Sequence, residues 1–247
     1  MPADALPPLP LNAWLRYDLI DRSLRELPPD VHTVLEIGAG AGAIGARLAR
    51  RYEYTGIEPD PAAYARAAER LGAERIVCGD SSALDPASAF DLVCSFEVLE
   101  HLEDDRAALL DWRGRLREGG FIALSVPARP NRFGPHDRVV GHYRRYDAHM
   151  LARLLEDCGF VDVRVRTCGF PLGYALEAAR NLIARLHAGR GGESMAEQTA
   201  ASGRWLQPPD AIAWLTAAVA APFRLLQRPF ARTLPGTGLV AVARRPV

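Results

Sequence analysis

Val34-Leu-Glu-Ile-Gly-Ala-Gly-Ala-Gly42 is the stretch that decides the fold of this chain. Its apolar start predicts a short buried strand of a parallel sheet, and the glycines at alternate positions end that strand. Helix-like residues follow at 43–51. Glycines at such a turn let a ligand lie directly against the main chain, near the start of the next helix. The segment therefore predicts a cradle for a nucleotide-containing cofactor.

The glycine pattern does not choose the cofactor. Gly40-Ala-Gly42-Ala-Ile-Gly45 also fits the GxGxxG pattern of dinucleotide enzymes. Glu58 follows Gly38 by 20 positions, which is where either class of enzyme would have an acidic residue for the ribose. The choice depends on the segments that follow.

Composition limits the classes of function. The chain has 247 residues, 49% of them apolar and 24% charged, which predicts one globular domain over 1–247. A net charge of zero argues against a nucleic-acid partner. All 30 basic residues are arginine, so a Schiff-base lysine, a P-loop lysine and a Tyr-x-x-x-Lys dehydrogenase pair are excluded.

The cysteines and the N-terminus bear on the compartment. The four cysteines form no CxxC pair, and we expect them to be reduced core residues. The first ten residues lack a basic start and a long apolar run, so no signal peptide is expected. We therefore expect a cytoplasmic protein, with membrane association as an alternative.

Strand and helix patterns alternate along the chain. Strands are predicted at 33–37, 54–58, 75–78, 91–96, 121–127 and 160–167. Helices are predicted at 12–27, 42–51, 61–71, 104–116 and 147–158. This alternation predicts an α/β, Rossmann-like, doubly wound sheet of seven mostly parallel strands.

The last third of the chain departs from this alternation. The cofactor-binding core spans about 31–168, a helical insertion about 170–235, and a last, antiparallel strand about 238–244. Helices are expected at 170–187 and 210–223, and a mobile segment at 188–204. The insertion, the N-terminal helix and the polar connection 128–146 together predict a helical cap.

Polar residues follow several predicted strands. A carboxylate at Glu58 can accept hydrogen bonds from both ribose hydroxyls, or it can simply face a helix start. Asp80 can accept from an adenine amine, or it can cap an ordinary turn. The segment from Cys94 to Leu102, which ends in Glu-His, should line the crevice at the strand ends.

Together these segments resemble the class I S-adenosylmethionine-dependent methyltransferases. The resemblance covers about 31–168 and rests on LEIGAGAG, GIEPD, CGDSSAL, FDLVCSFEVLEHLED and LREGGFIALSVP. It implies that the glycine loop lies against the methionine part of S-adenosylmethionine, with Glu36 near its amine. It implies further that Glu58 holds the ribose and that Asp80 and Ser81 flank adenine. The cofactor residues that it implies are Glu36, Gly38, Ala39, Gly40, Gly42, Glu58, Pro59, Asp80, Ser81, Phe96, Glu97 and Val98.

A narrower likeness, in the segment from Ser125 to Phe160, is to a bacterial subgroup of these enzymes, some of which accompany glycan or lipid-linked pathways. It names no substrate. The resemblance implies S-adenosylhomocysteine as the product and no metal ion.

Two histidines are candidates for a general base, because imidazole titrates near neutral pH. His101 follows the fourth strand and His142 lies in the connection 128–146, with Asp137 as a group that could orient one of them. Either histidine could instead be structural. Arg145, beside Tyr146, is the favoured arginine for binding a carboxylate or phosphate of the acceptor. These five residues are the predicted catalytic set.

The apolar segment around Ile212, Trp214, Leu215 and Val219 allows several interpretations. It could be core, a dimer face, the roof of a pocket for an apolar acceptor, or a contact with a membrane surface. Arg224, Arg228 and Arg232 recur every four residues and would suit anionic lipid. Peripheral membrane contact through 210–232, and a monomer or a homodimer, are therefore the expectations.

The sequence favours a methyltransferase that transfers a methyl group to an oxygen, or alternatively a nitrogen, of a small molecule. The acceptor could be anionic, glycosylated or lipid-like. Two alternatives stay open: an NAD(P)-dependent oxidoreductase with the same glycine loop, and a cofactor-binding subunit without catalysis.

Overall fold

The computed structural model describes residues 6–187, 213–232 and 236–247, and its centre is one seven-stranded sheet. The strands are β1 (Thr33–Ile37), β2 (Glu53–Glu58), β3 (Ile76–Cys78), β4 (Phe90–Phe96), β5 (Leu116–Pro127), β6 (Val161–Cys168) and β7 (Gly238–Arg244). Their order in the sheet is β3-β2-β1-β4-β5-β7-β6. Strands β1 to β5 run parallel, and β7 lies antiparallel between β5 and β6. The predicted fold class is confirmed.

Helices connect the strands and cover both faces of the sheet. They are α1 (Leu11–Leu24), α2 (Gly45–Leu48), α3 (Pro61–Leu71), α4 (Asp105–Gly114), α5 (Pro135–Val139), α6 (Ala148–Asp157), α7 (Leu172–His187) and α8 (Ala213–Leu226). The prediction of a mobile segment at 188–204 lies outside the described residues.

Two hydrophobic cores form because successive strand residues point to opposite faces of the sheet. Val34 and Leu92 belong to one core, whereas their neighbours Leu35 and Val93 belong to the other. Each of these four side chains is completely buried. The central strands are therefore apolar throughout, as strands covered on both faces must be.

Strand order reverses between β1 and β4, which are neighbours in the sheet but not along the chain. The loops that follow these two strands leave in opposite directions and open a crevice at their carboxyl ends. The glycine loop follows β1, and the segment from Glu97 to His101 follows β4. The topology thus brings the two most informative segments of the sequence together.

The C-terminal end of α8 and the residues just after it pack on the N-terminal helix α1. The amide of Gln227 donates to the carbonyl of Leu15 over 2.8 Å, and Arg224 and Arg228 both contact the buried carboxylate of Asp18. The pairing of Arg224 and Arg228 with Asp18 weakens the electrostatic case for a lipid contact, which stays a prediction.

The apolar segment around α8 is only partly described. Leu215 and Val219 are 44% and 42% exposed, so the structure contradicts a core position for these two side chains. Ile212 and the side chain of Trp214 lie outside what the structure describes. Among the described residues, no helix is long and apolar enough to cross a membrane.

Candidate active site

A cavity of about 1090 Å³ lies at the carboxyl ends of β1 to β4. That volume is at the upper end of the range for ligand pockets in proteins. The N-terminal segment, α1, α5 and α7 contribute to its wall as well. Nine of the twelve predicted cofactor residues line it: Gly38, Gly40, Glu58, Pro59, Asp80, Ser81, Phe96, Glu97 and Val98.

The glycine loop forms a bare main-chain surface on this cavity. Gly38, Gly40 and Gly42 have φ values of 74°, 55° and 76°, in the left-handed region that favours glycine. A Cβ on Gly38 would lie 2.5 Å from Cγ2 of Val98, whereas a Cβ on Gly40 would meet nothing within 4 Å. The space beside Gly40 is where a ligand can approach the backbone, which fits the cofactor that the resemblance implies.

Glu58 holds the glycine loop against the end of β2. One carboxylate oxygen accepts from the amide of Gly40 over 2.7 Å, and the other accepts from the amide of Asp60 over 2.9 Å. Burial raises the pKa of this carboxyl group. Each carboxylate oxygen has a second lone pair, so Glu58 can still accept from a ribose hydroxyl at the cavity wall.

Asp80 follows β3 and is exposed at the edge of the cavity. Its carboxylate accepts from the amide of Ser82 over 2.9 Å and from the Ser82 hydroxyl over 2.6 Å. These bonds to Ser82 lower the pKa of Asp80. The turn-capping role therefore holds, and the position on the cavity wall leaves adenine contact as a prediction.

Three predicted cofactor residues lie off the cavity wall: Glu36, Ala39 and Gly42. Glu36 is 2% exposed and accepts a 2.6 Å hydrogen bond from the hydroxyl of Tyr54. This partner, beneath the loop, gives Glu36 a role in supporting the loop, and contact with the cofactor amine stays a prediction. Gly42 faces α3, where a Cβ would lie 3.2 Å from the Cα of Ala67, so its role is close packing.

Glu97 lies where β4 ends and has a strained backbone, with φ of 58°. Its carboxylate accepts from the hydroxyl of Ser125 over 3.2 Å and forms a 2.7 Å ion pair with Arg16 of α1. Arg16 lines the cavity too and escaped the sequence analysis. The N-terminal helix therefore reaches the site through a charged contact.

The two candidate histidines meet on the cavity wall. The rings of His101 and His142 pack edge to face, with their centroids 4.6 Å apart. His101 hydrogen-bonds the backbone of Gly141, and burial together with His142 lowers its pKa to about 4. His101 is therefore a neutral imidazole near neutral pH, as either a base or a ligand would have to be.

Asp137 organises the opposite side of His142. Its buried carboxylate lies 2.8 Å from Nδ1 of His142 and accepts from the amide of Gly134 over 2.7 Å. The hydrogen bonds from His142 and Arg145 hold the pKa of Asp137 well below its usual range, in spite of burial. An ionised Asp137 keeps the proton of His142 on Nδ1, so Nε2 presents its lone pair. The predicted orienting role of Asp137 fits this geometry.

Arg145 is placed differently from the prediction. It is 4% exposed, and its guanidinium donates to both oxygens of Asp137 over 2.8 Å and to Glu177 over 3.0 Å. These carboxylates already accept from the Nε, Nη1 and Nη2 donors of Arg145. Arg145 therefore positions Asp137 and has no donor arranged for an anion of the acceptor.

Tyr146 also departs from the catalytic prediction. Its side chain is 1% exposed within the core, and its hydroxyl donates to Asp105 over 2.9 Å. Burial raises the pKa of this phenol far above its usual range. The structure therefore gives Tyr146 a structural role, away from the cavity wall.

Besides Arg16, three polar residues at the site were not among the predicted site residues: Glu100, His136 and Arg180. Glu100 lies inside the EVLEH segment and His136 beside Asp137, so both had a local signal in the sequence. Arg180 lies on α7, 34 residues beyond the end of the connection 128–146, and no local sequence pattern indicated that it would line the cavity. It lines the cavity with its side chain half-buried.

Comparison with known proteins agrees with this geometry. The family model described as a methyltransferase domain matches residues 11–165. A Mycobacterium tuberculosis protein, described as a probable S-adenosylmethionine-dependent methyltransferase, is 30% identical over 95% of this chain and 85% of its own length. Such a relationship excludes the oxidoreductase alternative.

Solved structures share the fold at low sequence identity. A Thermotoga maritima methyltransferase, described as a possible histamine N-methyltransferase, is 15% identical, with a TM-score of 0.57 over 95% of this chain and 89% of that one. The N-methyltransferase NodS of Bradyrhizobium japonicum, solved with S-adenosylhomocysteine, is 22% identical, with a TM-score of 0.52 over 94% and 86%. With a glycine cradle at the reversal point of its sheet and a relative along nearly its whole length, the chain belongs to the methyltransferase domain family and is an S-adenosylmethionine-dependent methyltransferase.

Proposed function

We propose that this enzyme transfers the methyl group of S-adenosylmethionine to an oxygen of a small, anionic acceptor. The observation that carries the proposal is the imidazole pair on the wall of the cofactor cavity, with His142 oriented by Asp137 at 2.8 Å. Nitrogen is the alternative acceptor atom.

The chemistry is an in-line displacement at the methyl carbon. The acceptor oxygen forms a bond to that carbon as the bond from carbon to sulfur breaks, which yields S-adenosylhomocysteine and the methylated acceptor. The cofactor supplies the reactive sulfonium, and the protein supplies alignment. Alignment alone can lower the barrier by about 7–11 kcal/mol.

The presence of a candidate base at His142 favours oxygen over nitrogen as the acceptor atom. A hydroxyl keeps its proton at neutral pH, so a positioned base that takes it accelerates transfer by roughly 10²–10⁴-fold. Nε2 of His142 can take that proton because Asp137 holds the other ring nitrogen as a donor. An amine that is already deprotonated needs no such group.

The position of Arg180 supports the proposal that the acceptor carries an acid group. It borders the cavity, and its Nε has no hydrogen-bond partner among the described residues. Burial lowers the pKa of its guanidinium, which indicates a cation in a poorly solvated place. A guanidinium that faces a cavity suits a carboxylate or phosphate, since it can bind both oxygens at once.

The test is a methyl-transfer assay with isotopically labelled S-adenosylmethionine and a panel of hydroxylated acids, their neutral esters and matched amines. We expect transfer to the acids, and mass spectrometry should place the label on oxygen. Arg180→Gln should raise KM for the acid roughly 10–100-fold with little change in kcat, because a charge-assisted bond contributes about 1.5–3 kcal/mol.

Arg153→Gln, on the exposed face of α6, is the matched control and should leave KM unchanged. Equal transfer to acids and esters, or label on nitrogen alone, would overturn the proposal. Cofactor binding without transfer to any acceptor would favour the non-catalytic alternative.

A further inference from the structure

Three potential metal ligands, one of them the candidate base His142, lie close together beside the cavity. The side chains of Glu100, His101 and His142 each offer one ligand atom, and all three atoms lie within 4.8 Å of one another. Nε2 of His142 and one carboxylate oxygen of Glu100 are 3.8 Å apart, which is too long for a hydrogen bond. Two nitrogens and one carboxylate facing one point are a usual ligand set for divalent transition metals.

Both imidazoles carry the second partner that metal-binding histidines have. Nδ1 of His142 lies 2.8 Å from the ionised carboxylate of Asp137, and His101 hydrogen-bonds the backbone of Gly141. Such partners fix the tautomer and the orientation of a ligand ring. Asp137 itself accepts hydrogen bonds from Arg145 and from the amide of Gly134. The protein therefore fixes the group that orients His142.

Glu100 supplies an independent observation. It is completely buried, and no other described residue donates a hydrogen bond to either of its carboxylate oxygens. A buried carboxyl group without a partner costs the folded state free energy, so proteins normally pair such groups or bind them to metals. Nothing else among the described residues around Glu100 offers it a positive charge within ion-pair distance, apart from His142 when that ring is protonated.

We propose that Glu100, His101 and His142 bind a divalent transition-metal cation, of which Zn²⁺ and Mn²⁺ suit this donor set best. An edge between two ligands of a tetrahedral zinc is about 3.3 Å for bonds of about 2.0–2.1 Å. The pair at 3.8 Å therefore needs to close by about half an ångström, and a pair at the 4.8 Å limit of this cluster would need to close by about 1.5 Å. This proposal reverses the expectation from the sequence that no metal is involved.

The proposed cation would border the cofactor cavity, because both histidines line it. Nε2 of His142 would then be a ligand when the cation is bound and a base only without it. Binding of the cation itself needs neither cofactor nor acceptor, so it can be tested apart from methyl transfer.

The test is a titration of the full chain with Co²⁺ in the absence of cofactor and acceptor, followed by visible absorption and by calorimetry, with Zn²⁺ and Mn²⁺ as competitors. We expect saturation at about one equivalent per chain and the absorption bands of Co²⁺ bound by nitrogen and oxygen, displaced by Zn²⁺. Glu100→Gln and His142→Gln should each weaken binding at least 10-fold, whereas His149→Ala, which removes an exposed histidine of α6, should not.

A second readout covers variants that fold poorly. Zn²⁺ should raise the melting temperature of the wild-type chain, since only the folded state brings Glu100, His101 and His142 together. Without metal, Glu100→Gln should melt no lower than wild type, because it removes a buried carboxyl group, and Zn²⁺ should no longer raise its melting temperature. The proposal is wrong if the wild-type chain does not saturate below about 1 mM metal, or if binding survives both substitutions.

Discussion

Glu36 shows how a single buried residue can support the glycine loop from beneath. The side chain lies under the glycine loop, 2% exposed, with the hydroxyl of Tyr54 as its hydrogen-bond donor. Burial raises the pKa of this carboxyl group from 4.5 to about 8. In the folded protein at neutral pH, Glu36 is therefore a protonated acid.

A raised pKa makes stability depend on pH in a defined direction. Between pH 4.5 and about 8 the folded chain holds the Glu36 proton and the unfolded chain does not. The contribution of Glu36 is therefore complete below pH 4.5 and is lost as the pH rises towards 8. The loss amounts to a few kcal/mol, at about 1.4 kcal/mol per pH unit.

Glu36→Gln should remove this dependence, because the amide stays neutral and its oxygen can still accept from Tyr54. In urea denaturation, we expect the variant to equal wild type at pH 4.5–5 and to exceed it at pH 8. Glu53→Gln, at the exposed start of β2, should leave the pH profile unchanged. A variant whose stability deficit or gain is the same at both pH values would contradict the protonated state of Glu36.

At the scale of elements, Arg145 joins the connection 128–146 to α7. Its guanidinium binds Asp137 on α5 and Glu177 on α7, and all three side chains are buried. The contact fixes α5, and with it the carboxylate that orients His142. A charge network in the cap thus sets the geometry of the candidate base.

Arg145→Met should destabilise the fold by about 3–5 kcal/mol, because it leaves the buried carboxylate of Asp137 without its arginine, whereas Glu177 keeps its ion pair with Arg132. Urea denaturation at neutral pH measures this loss. Arg138→Met, on the exposed side of α5, the helix that carries Asp137, should change stability by less than about 0.5 kcal/mol. Equal effects of the two substitutions would show that the buried network does not support the cap.

Elements governed by local patterns were predictable from the sequence. The bounds predicted for β1 and β7 are those observed, because apolar runs and glycines mark their ends. The helix predicted at 42–51 shrinks to α2, since Gly38, Gly40 and Gly42 in left-handed conformations occupy the turn before it. Strand β5 begins at Leu116 and not at 121, because Leu116 pairs with Phe90 of β4. No local sequence pattern predicts that pairing.

The candidate site also contains residues whose positions could be predicted from the sequence and residues whose positions could not. Residues at strand ends, such as Glu58 and Phe96, reached the cavity wall as the topology predicts. Arg145 and Tyr146 are adjacent in sequence, yet one side chain binds Asp137 and the other enters the core at Asp105. Residue type and spacing could not predict that these two side chains take different positions, because each position depends on contacts with segments distant in the sequence.

At the scale of the whole molecule, apolar side chains remain exposed on the helices of the insertion. Leu182, Ile183 and Leu186 of α7 are 57%, 55% and 75% exposed, and Leu225 and Leu226 of α8 are 59% and 49% exposed. A second copy of the chain and a membrane surface both suit such a face. Dimerisation and membrane contact through 210–232 therefore stay predictions, and pairing of Arg224 and Arg228 with Asp18 weakens the electrostatic case for lipid.

We place the cofactor in the cavity that joins the glycine loop to the imidazole pair of His101 and His142. A thermal-shift titration with S-adenosylhomocysteine, with NAD and NADP as controls, tests it most directly on wild type and on Glu58→Ala. The melting temperature of wild type should rise with S-adenosylhomocysteine alone, with a stabilisation of about 2.7 kcal/mol at 100 times Kd, and Glu58→Ala should lose most of that rise at the same concentration. A rise with NAD, or an equal rise in Glu58→Ala and wild type, would contradict the placement of the cofactor in this cavity.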